Sequence, residues 1–269
     1  IMGKYKVCGY DMEELHSRML TIAVEVDRIC RENGWKCSLY GGSIIGAIRH
    51  KGFIPWDHDI DMAMPRKDYD EFLKYMQTHK NDLIFLSDYH TEKRYPNNWG
   101  KVRLNGTVFQ ERELQTLTEL HRGVFIDLHA IDNVVPFFLY LQVRLAVFWS
   151  CVGKYKSGLD NRKGIKTAVY KMFTWLPYGV LAFLKDISLK LFKNCNTRYV
   201  YKIVHPNNGV YPIPRETFED LIECEFENHA FYIPRNYDEF LTQRYGDYMS
   251  IPPESEVYDC CTTIVECQL

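Results

Sequence analysis

The sequence has no C-x-x-C spacing, no internal repeat, no low-complexity tract and no excess of positive charge. Its nine cysteines are Cys8, Cys30, Cys37, Cys151, Cys195, Cys224, Cys260, Cys261 and Cys267. An odd count without knuckle spacing argues against a secreted disulfide framework or a zinc knuckle and leaves reduced thiols as the expectation. Lys and Arg total 33 against 35 Asp and Glu, a formal net charge of −2 with a pI near 6.5. That balance carries no electrostatic footprint for nucleic acid. The N-terminus lacks the apolar core of a secretory signal. No run reaches the roughly 18–20 uninterrupted apolar residues that cross a bilayer. Phe137 to Gly153 comes nearest and is broken by Gln142 and Arg144. A cytoplasmic protein is expected, with peripheral contact to the inner face of the membrane left open.

What is present is a chain of 269 residues, enough for one large or two small domains. Apolar residues at Met12, Leu15, Met19, Ile22, Val26 and Ile29 predict a helix over 12–30, with Asn33-Gly34 as its C-cap. Strands are expected at 35–40, 58–64, 83–86, 99–104 and 123–131, and a second helix at 66–79. From Phe137 to Phe192 the chain reads as helical, broken near Ser157-Gly158 and at Pro177. A hairpin turning at Glu227-Asn228 and a helix from Tyr237 to Tyr245 follow. Interleaved strands and helices predict an α+β catalytic core over 1–135. A helical insertion is expected over 136–205, and a C-terminal part over 206–269 completes the core.

The chemistry concentrates between Tyr40 and Pro65, Y-G-G-S-I-I-G-A-I-R-H-K-G-F-I-P-W-D-H-D-I-D-M-A-M-P. A Gly-Gly-Ser turn opening a helix lets backbone approach an anion, and amides at a helix start attract it. Asp59 and Asp61, two apart on a strand, share a face and can converge on a hard cation; Asp57 follows the same alternation. Asp127 lies within the apolar run V-F-I-D-L, where a carboxylate is expected to be paired, for instance with Arg122, or ligating.

The stretch G-G-S-I-I-G-A-I-R-H-K-G-F-I-P-W-D-H-D-I-D-M-A-M-P-R-K-D-Y-D-E-F resembles the signature of the LicD/fukutin-like phosphotransferase family, in the nucleotidyltransferase superfamily. Three further segments resemble that family: K-V-R-L-N-G-T-V-F, R-G-V-F-I-D-L-H-A-I-D, and P-R-N-Y-D-E-F-L-T-Q-R-Y-G-D-Y-M-S-I-P-P-E. The likeness fails mainly over 137–205. It implies a nucleotidyltransferase-type mixed sheet flanked by helices. It also implies metal-dependent transfer of a substituted phosphate, typically phosphocholine from CDP-choline, to a hydroxyl of a glycan or lipid-linked glycan, with release of CMP.

By the motif, Asp59, Asp61 and Asp127 would be the catalytic carboxylates, holding Mg²⁺ or Mn²⁺. Gly42 and Ser43 would contact the donor diphosphate. Arg49, His50 and Lys51 would neutralise its charge, with Lys101 and Arg103 as further substrate-binding residues. Trp56, Tyr69, Tyr95 and Trp99 are candidates for an aromatic cage around a quaternary ammonium. Two positions depart from the family pattern. His58 stands where W-D-D-D-I-D is usual, and alternation turns it away from the metal pair. His129-Ala130 replaces Phe-Pro, putting an imidazole on the face of Asp127, either joining the site or serving structure. Transfer of another CDP-alcohol phosphate (ribitol phosphate, glycerol phosphate or phosphoethanolamine), true nucleotidyl transfer and a non-catalytic glycan- or membrane-binding role are the alternatives.

Overall fold

A computed structural model describes residues 5–7, 9–160, 163–204, 211–253 and 263–269. Cys8 and the Cys260-Cys261 pair lie outside the described residues. Strands β1 (Lys6–Val7) and β2 (Tyr10–Asp11) form a two-residue pairing that leads into α1, Met12–Asn33. The apolar stripe of α1 is buried from Met12 to Cys30, and Gly34 closes the helix in the left-handed region, as its cap position requires.

Strand β3 is only Ser38–Leu39, shorter than the 35–40 expected from its apolar run. Helix α2 (Gly42–Ile45) continues as a π turn, Gly46–His50, which Lys51 ends at φ 59°. Strand β4 begins at Asp61 and ends at Pro65, so residues 58–60 approach the sheet without joining it. The alternation invoked for His58 and Asp59 therefore has no ladder behind it. Pro65 cannot donate to a ladder and turns the chain into α3, Arg66–Thr78.

Strands β5 (Ile84–Ser87), β6 (Gly100–Leu104), β7 (Val108–Glu111) and β8 (Phe125–Val134) follow. Helices α4 (Pro136–Lys156), α5 (Ile165–Lys171) and α6 (Tyr178–Leu189) come next, with breaks at Ser157-Gly158 and Pro177 as expected. Strand β9 (Tyr199–Lys202) then rejoins the sheet, within the 136–205 span. The chain continues through β10 (Ile213–Pro214), β11 (Leu221–Phe226), β12 (His229–Pro234), α7 (Tyr237–Tyr245) and β13 (Ile264–Gln268), which pairs with β7. The hairpin of β11 and β12 turns at Glu227 and Asn228, both at positive φ.

The seven-stranded mixed sheet is built around β8. On one edge β8 runs parallel to β4; on the other it pairs antiparallel with β6 at its start and β9 at its end. Ile60, Met62, Met64, Ile126 and Leu128 are sealed in the core with α1. The architecture is the expected α+β mixed sheet flanked by helices.

Candidate active site

Strand register assembles the site. Asp61 of β4 lies opposite Asp127 of β8, and Lys101 of β6 lies opposite Asp127 on its other side. His129 is two residues on from Asp127 and therefore shares its face. Ligand atoms of Asp61, Asp127 and His129 all lie within 4.8 Å of one another. Asp59 is outside that group, although its charge is felt by it. Sequence spacing pointed to Asp59 as the partner of Asp61, whereas folding puts His129 there, with Nε2 2.8 Å from Asp61 Oδ1.

Two observations fit a divalent cation at this point. Asp127 Oδ1 is buried with no hydrogen-bond partner; Lys101 Nζ approaches it to 3.3 Å but out of bonding alignment. His129 Nε2 faces both Asp61 and, at 3.2 Å, the ammonium of Lys202. One nitrogen cannot donate to the first and accept from the second, so the protein alone leaves this cluster unsatisfied. Two carboxylates and an imidazole suit a hard to borderline ion.

The Gly-Gly turn is pressed against the carboxylates. Gly41 has φ 55°, and a Cβ there would sit 3.0 Å from the Tyr245 hydroxyl and 3.3 Å from Asp61 Oδ2; at Gly42 one would lie 3.4 Å from Asp57 Oδ2. A side chain at Gly41 would be strained by that φ and would need Tyr245 and Asp61 to give, whereas at Gly42 a Cβ would be in ordinary contact. The turn is less open than the sequence implies, because the Ser43 and Ile44 amides bond back to the carbonyls of Tyr40 and Gly41. The Ser43 hydroxyl accepts from the Asp61 amide at 2.8 Å, which leaves its own proton to donate.

The carboxylates are held in contrasting states. Burial would push Asp61 up, but Lys202, His129 and Arg244 outweigh it and hold the group well below the ordinary range. Asp59 is pushed well up, by burial first and then by Asp57, Asp61 and Asp127. Burial also raises Asp57, to about 6. Desolvation lowers His129, with Lys202 adding to it.

The basic residues chosen from sequence are dispersed. Lys101 is buried, 2.9 Å from Glu111, and reaches Asp127. Arg103 is buried and bonds to Ser87 Oγ and the Gly123 carbonyl. Arg49 donates to His50 Nε2 and to the carbonyls of Tyr248 and Ser250. Lys51 is exposed at the helix end. Arg122 reaches Glu266, so Lys101 and not Arg122 is the cation beside Asp127. Of the aromatic candidates, Trp99 comes within 6.0 Å of His129, ring to ring, while the Tyr69 hydroxyl is committed to Asp88. Buried Tyr95 feels the charge of Asp127, and Trp56 packs near Tyr5 and His50. His58 lines a hollow with Glu111 and Phe125.

Three residues at the site were not singled out from the sequence. Lys202 extends over the Tyr40 ring to His129. Arg244 bonds the hydroxyls of Tyr40 and Tyr245, and Tyr245 abuts Gly41. The only signal for Arg244 and Tyr245 was the family-like segment that contains them; Lys202 lies where the likeness fails.

A mixed sheet that sets two carboxylates abreast beside a Gly-Gly turn opening a helix defines a nucleotidyltransferase-type core. A family model described as LicD/FKTN/FKRP, nucleotidyltransferase domain, matches residues 34–125. The chain is 30% identical over 242 residues to the lipopolysaccharide cholinephosphotransferase LicD of Haemophilus influenzae, covering 85% of this chain and 87% of that protein. The chain belongs to the LicD family and is a transferase of that type.

Proposed function

We propose that this enzyme transfers phosphocholine from CDP-choline to a hydroxyl of a cell-surface glycan or its lipid-linked precursor, releasing CMP. The observation that carries this is the Asp61–Asp127–His129 cluster, set against the Gly41-Gly42 turn and bordered by Lys202 and Arg244. The similarity to a cholinephosphotransferase supports the choice of group. In the reaction, the acceptor oxygen forms a bond to the choline-bearing phosphorus, and the bond from that phosphorus to the bridging oxygen breaks. CMP leaves with the electron pair, and the acceptor proton passes to a carboxylate of the site that a bound cation would leave free.

Such transfer depends chiefly on positioning and charge neutralisation. Asp61, Asp127 and His129 would hold Mg²⁺ or Mn²⁺, with Asp59 adding charge, and a bound cation would neutralise diphosphate charge. Arg244 and Lys202 supply fixed positive charge at the same place, Ser43 offers a hydroxyl donor, and Gly42 allows close backbone approach. Trp99 offers a ring face to the quaternary ammonium.

The test is to incubate the protein with Mg²⁺ or Mn²⁺ and a panel of CDP-alcohols, and to follow products by mass. CMP from CDP-choline is expected. Preference for CDP-ribitol, CDP-glycerol or CDP-ethanolamine would replace the donor. Cytidylation of the acceptor, or pyrophosphate release from a nucleoside triphosphate, would replace the reaction.

A further inference from the structure

Helices α4 and α6 are apolar on two faces. The inner faces are spent on the protein: Leu139, Val143 and Ala146 of α4 share a buried cluster with Leu189 of α6. The outer faces would be polar on an ordinary surface helix. Here Phe137, Leu141 and Leu145 recur along α4 at helical spacing, and Val180, Phe183 and Ile187 along α6, all exposed. Phe137 is 87% and Phe183 61% exposed. Helix α5 buries none of its residues, and nearby Trp175 is 75% exposed. Single exposed apolar residues are ordinary, but helix after helix of them marks an interaction surface.

Charge selects the occupant. Residues 136–204 carry twelve Lys and Arg against two Asp, while the rest of the chain carries 21 against 33 acidic residues. Among the described residues, the exposed side chains of Arg144, Lys163, Lys166 and Lys171 pair with no carboxylate. A second copy of the chain docked face to face would oppose like charges. An anionic bilayer meets both requirements, because rings and alkyl groups enter the interface while the cations face lipid phosphates. By length and composition α4 could cross a membrane. Its inner face, however, is tied to the body by Gln142, which donates to the Leu189 carbonyl at 2.9 Å, and by Ser150, bonded to Asn98. The contact is therefore along the surface.

This surface adjoins the site. Lys185 of α6 donates to the Pro96 carbonyl at 3.0 Å, Ser150 of α4 holds Asn98, and the next residue, Trp99, approaches His129. We infer that the outer faces of α4 to α6 rest on an anionic bilayer and present the active site to a glycan carried by a lipid. The lipid-linked acceptor rests on the reading above, whereas the membrane contact can be measured without turnover.

The test floats the whole protein with vesicles of phosphatidylcholine alone or mixed with phosphatidylglycerol. Flotation is expected with the mixed vesicles only, and high salt should release the protein. Lys163→Gln, Lys166→Gln and Lys171→Gln should each lower partition about fivefold. Phe137→Ser with Phe183→Ser and Trp175→Ser should abolish flotation while hydrolysis of CDP-choline in solution is unchanged. Should that triple variant fail to fold, the lysine series decides. Three results would overturn the inference: no flotation, equal flotation with neutral vesicles, or a salt-stable dimer that these substitutions disrupt without any vesicle binding. Flotation without any CDP-choline hydrolysis would instead overturn the proposed reaction and leave the membrane contact standing.

Discussion

Asp59 and Asp61 stand two residues apart in very different electrostatic surroundings. Asp61 is surrounded by Lys202, His129 and Arg244, which hold it ionised despite burial. Asp59 has three carboxylates for neighbours and little to offset them. Removing a charge from such a cluster relieves repulsion. Asp59→Asn is therefore expected to raise stability by about 1 kcal/mol in calorimetry without added metal, while lowering CMP release. Asp61→Asn strands the cations around it and should cost about 1–3 kcal/mol as well as turnover. A fall in stability for Asp59→Asn would show that the carboxylates are not in conflict. The D-x-D pattern was legible because two acidic residues in an apolar strand are costly without a use. His129 was legible only as one of two readings, through its alternation with Asp127; that it meets Asp61 was not, since only the parallel register of β4 and β8 brings the two together.

At the scale of elements, the join between α3 and β8 fixes that register. Arg66, the first residue of α3, makes two bonds to Asp132 of β8, at 2.6 and 2.9 Å, in the buried core. Burial pushes Asp132 up, with Arg66 opposing it. Asp132→Ala leaves a guanidinium buried without its main partner and should cost about 3–5 kcal/mol by denaturant unfolding. The double variant Arg66→Met with Asp132→Leu should recover most of the loss; no recovery would assign the loss to packing. Both residues lay within the family-like segments, but nothing local in the sequence pairs positions 66 apart. By contrast α1, the α4 break and α7 were legible because each depends on local periodicity or on a Gly or Pro stop. β3 and the start of β4 were misjudged in length because strand ends depend on a partner strand.

For the whole molecule, His16 ties α1 to the loop before the site. Its Nε2 lies 2.6 Å from the Asp57 carbonyl oxygen, and its ring stacks on Phe53 at 4.0 Å between centroids. Burial lowers it from an ordinary 6.5 to about 4, so the fold favours the neutral ring. The unfolded chain binds the proton more readily, so this contribution is complete above pH 6.5 and is lost as pH falls towards 4. Thermal stability should decline across that window, and His16→Phe should flatten the decline; an unchanged slope would exclude His16 as its source.

By itself the sequence determined the α+β class, most of the helices, the Gly-Gly turn and the carboxylates, because these follow from local periodicity, backbone freedom and the cost of burying charge. It also determined the charge contrast between 136–204 and the remainder, which is a matter of counting. Only the tertiary structure decided which carboxylates meet, that His129 joins them, that Lys202 and Arg244 balance them, and that the second apolar faces of α4 and α6 are left exposed. Each of these depends on strand register and packing between residues far apart in the chain, where no local spacing carries the information.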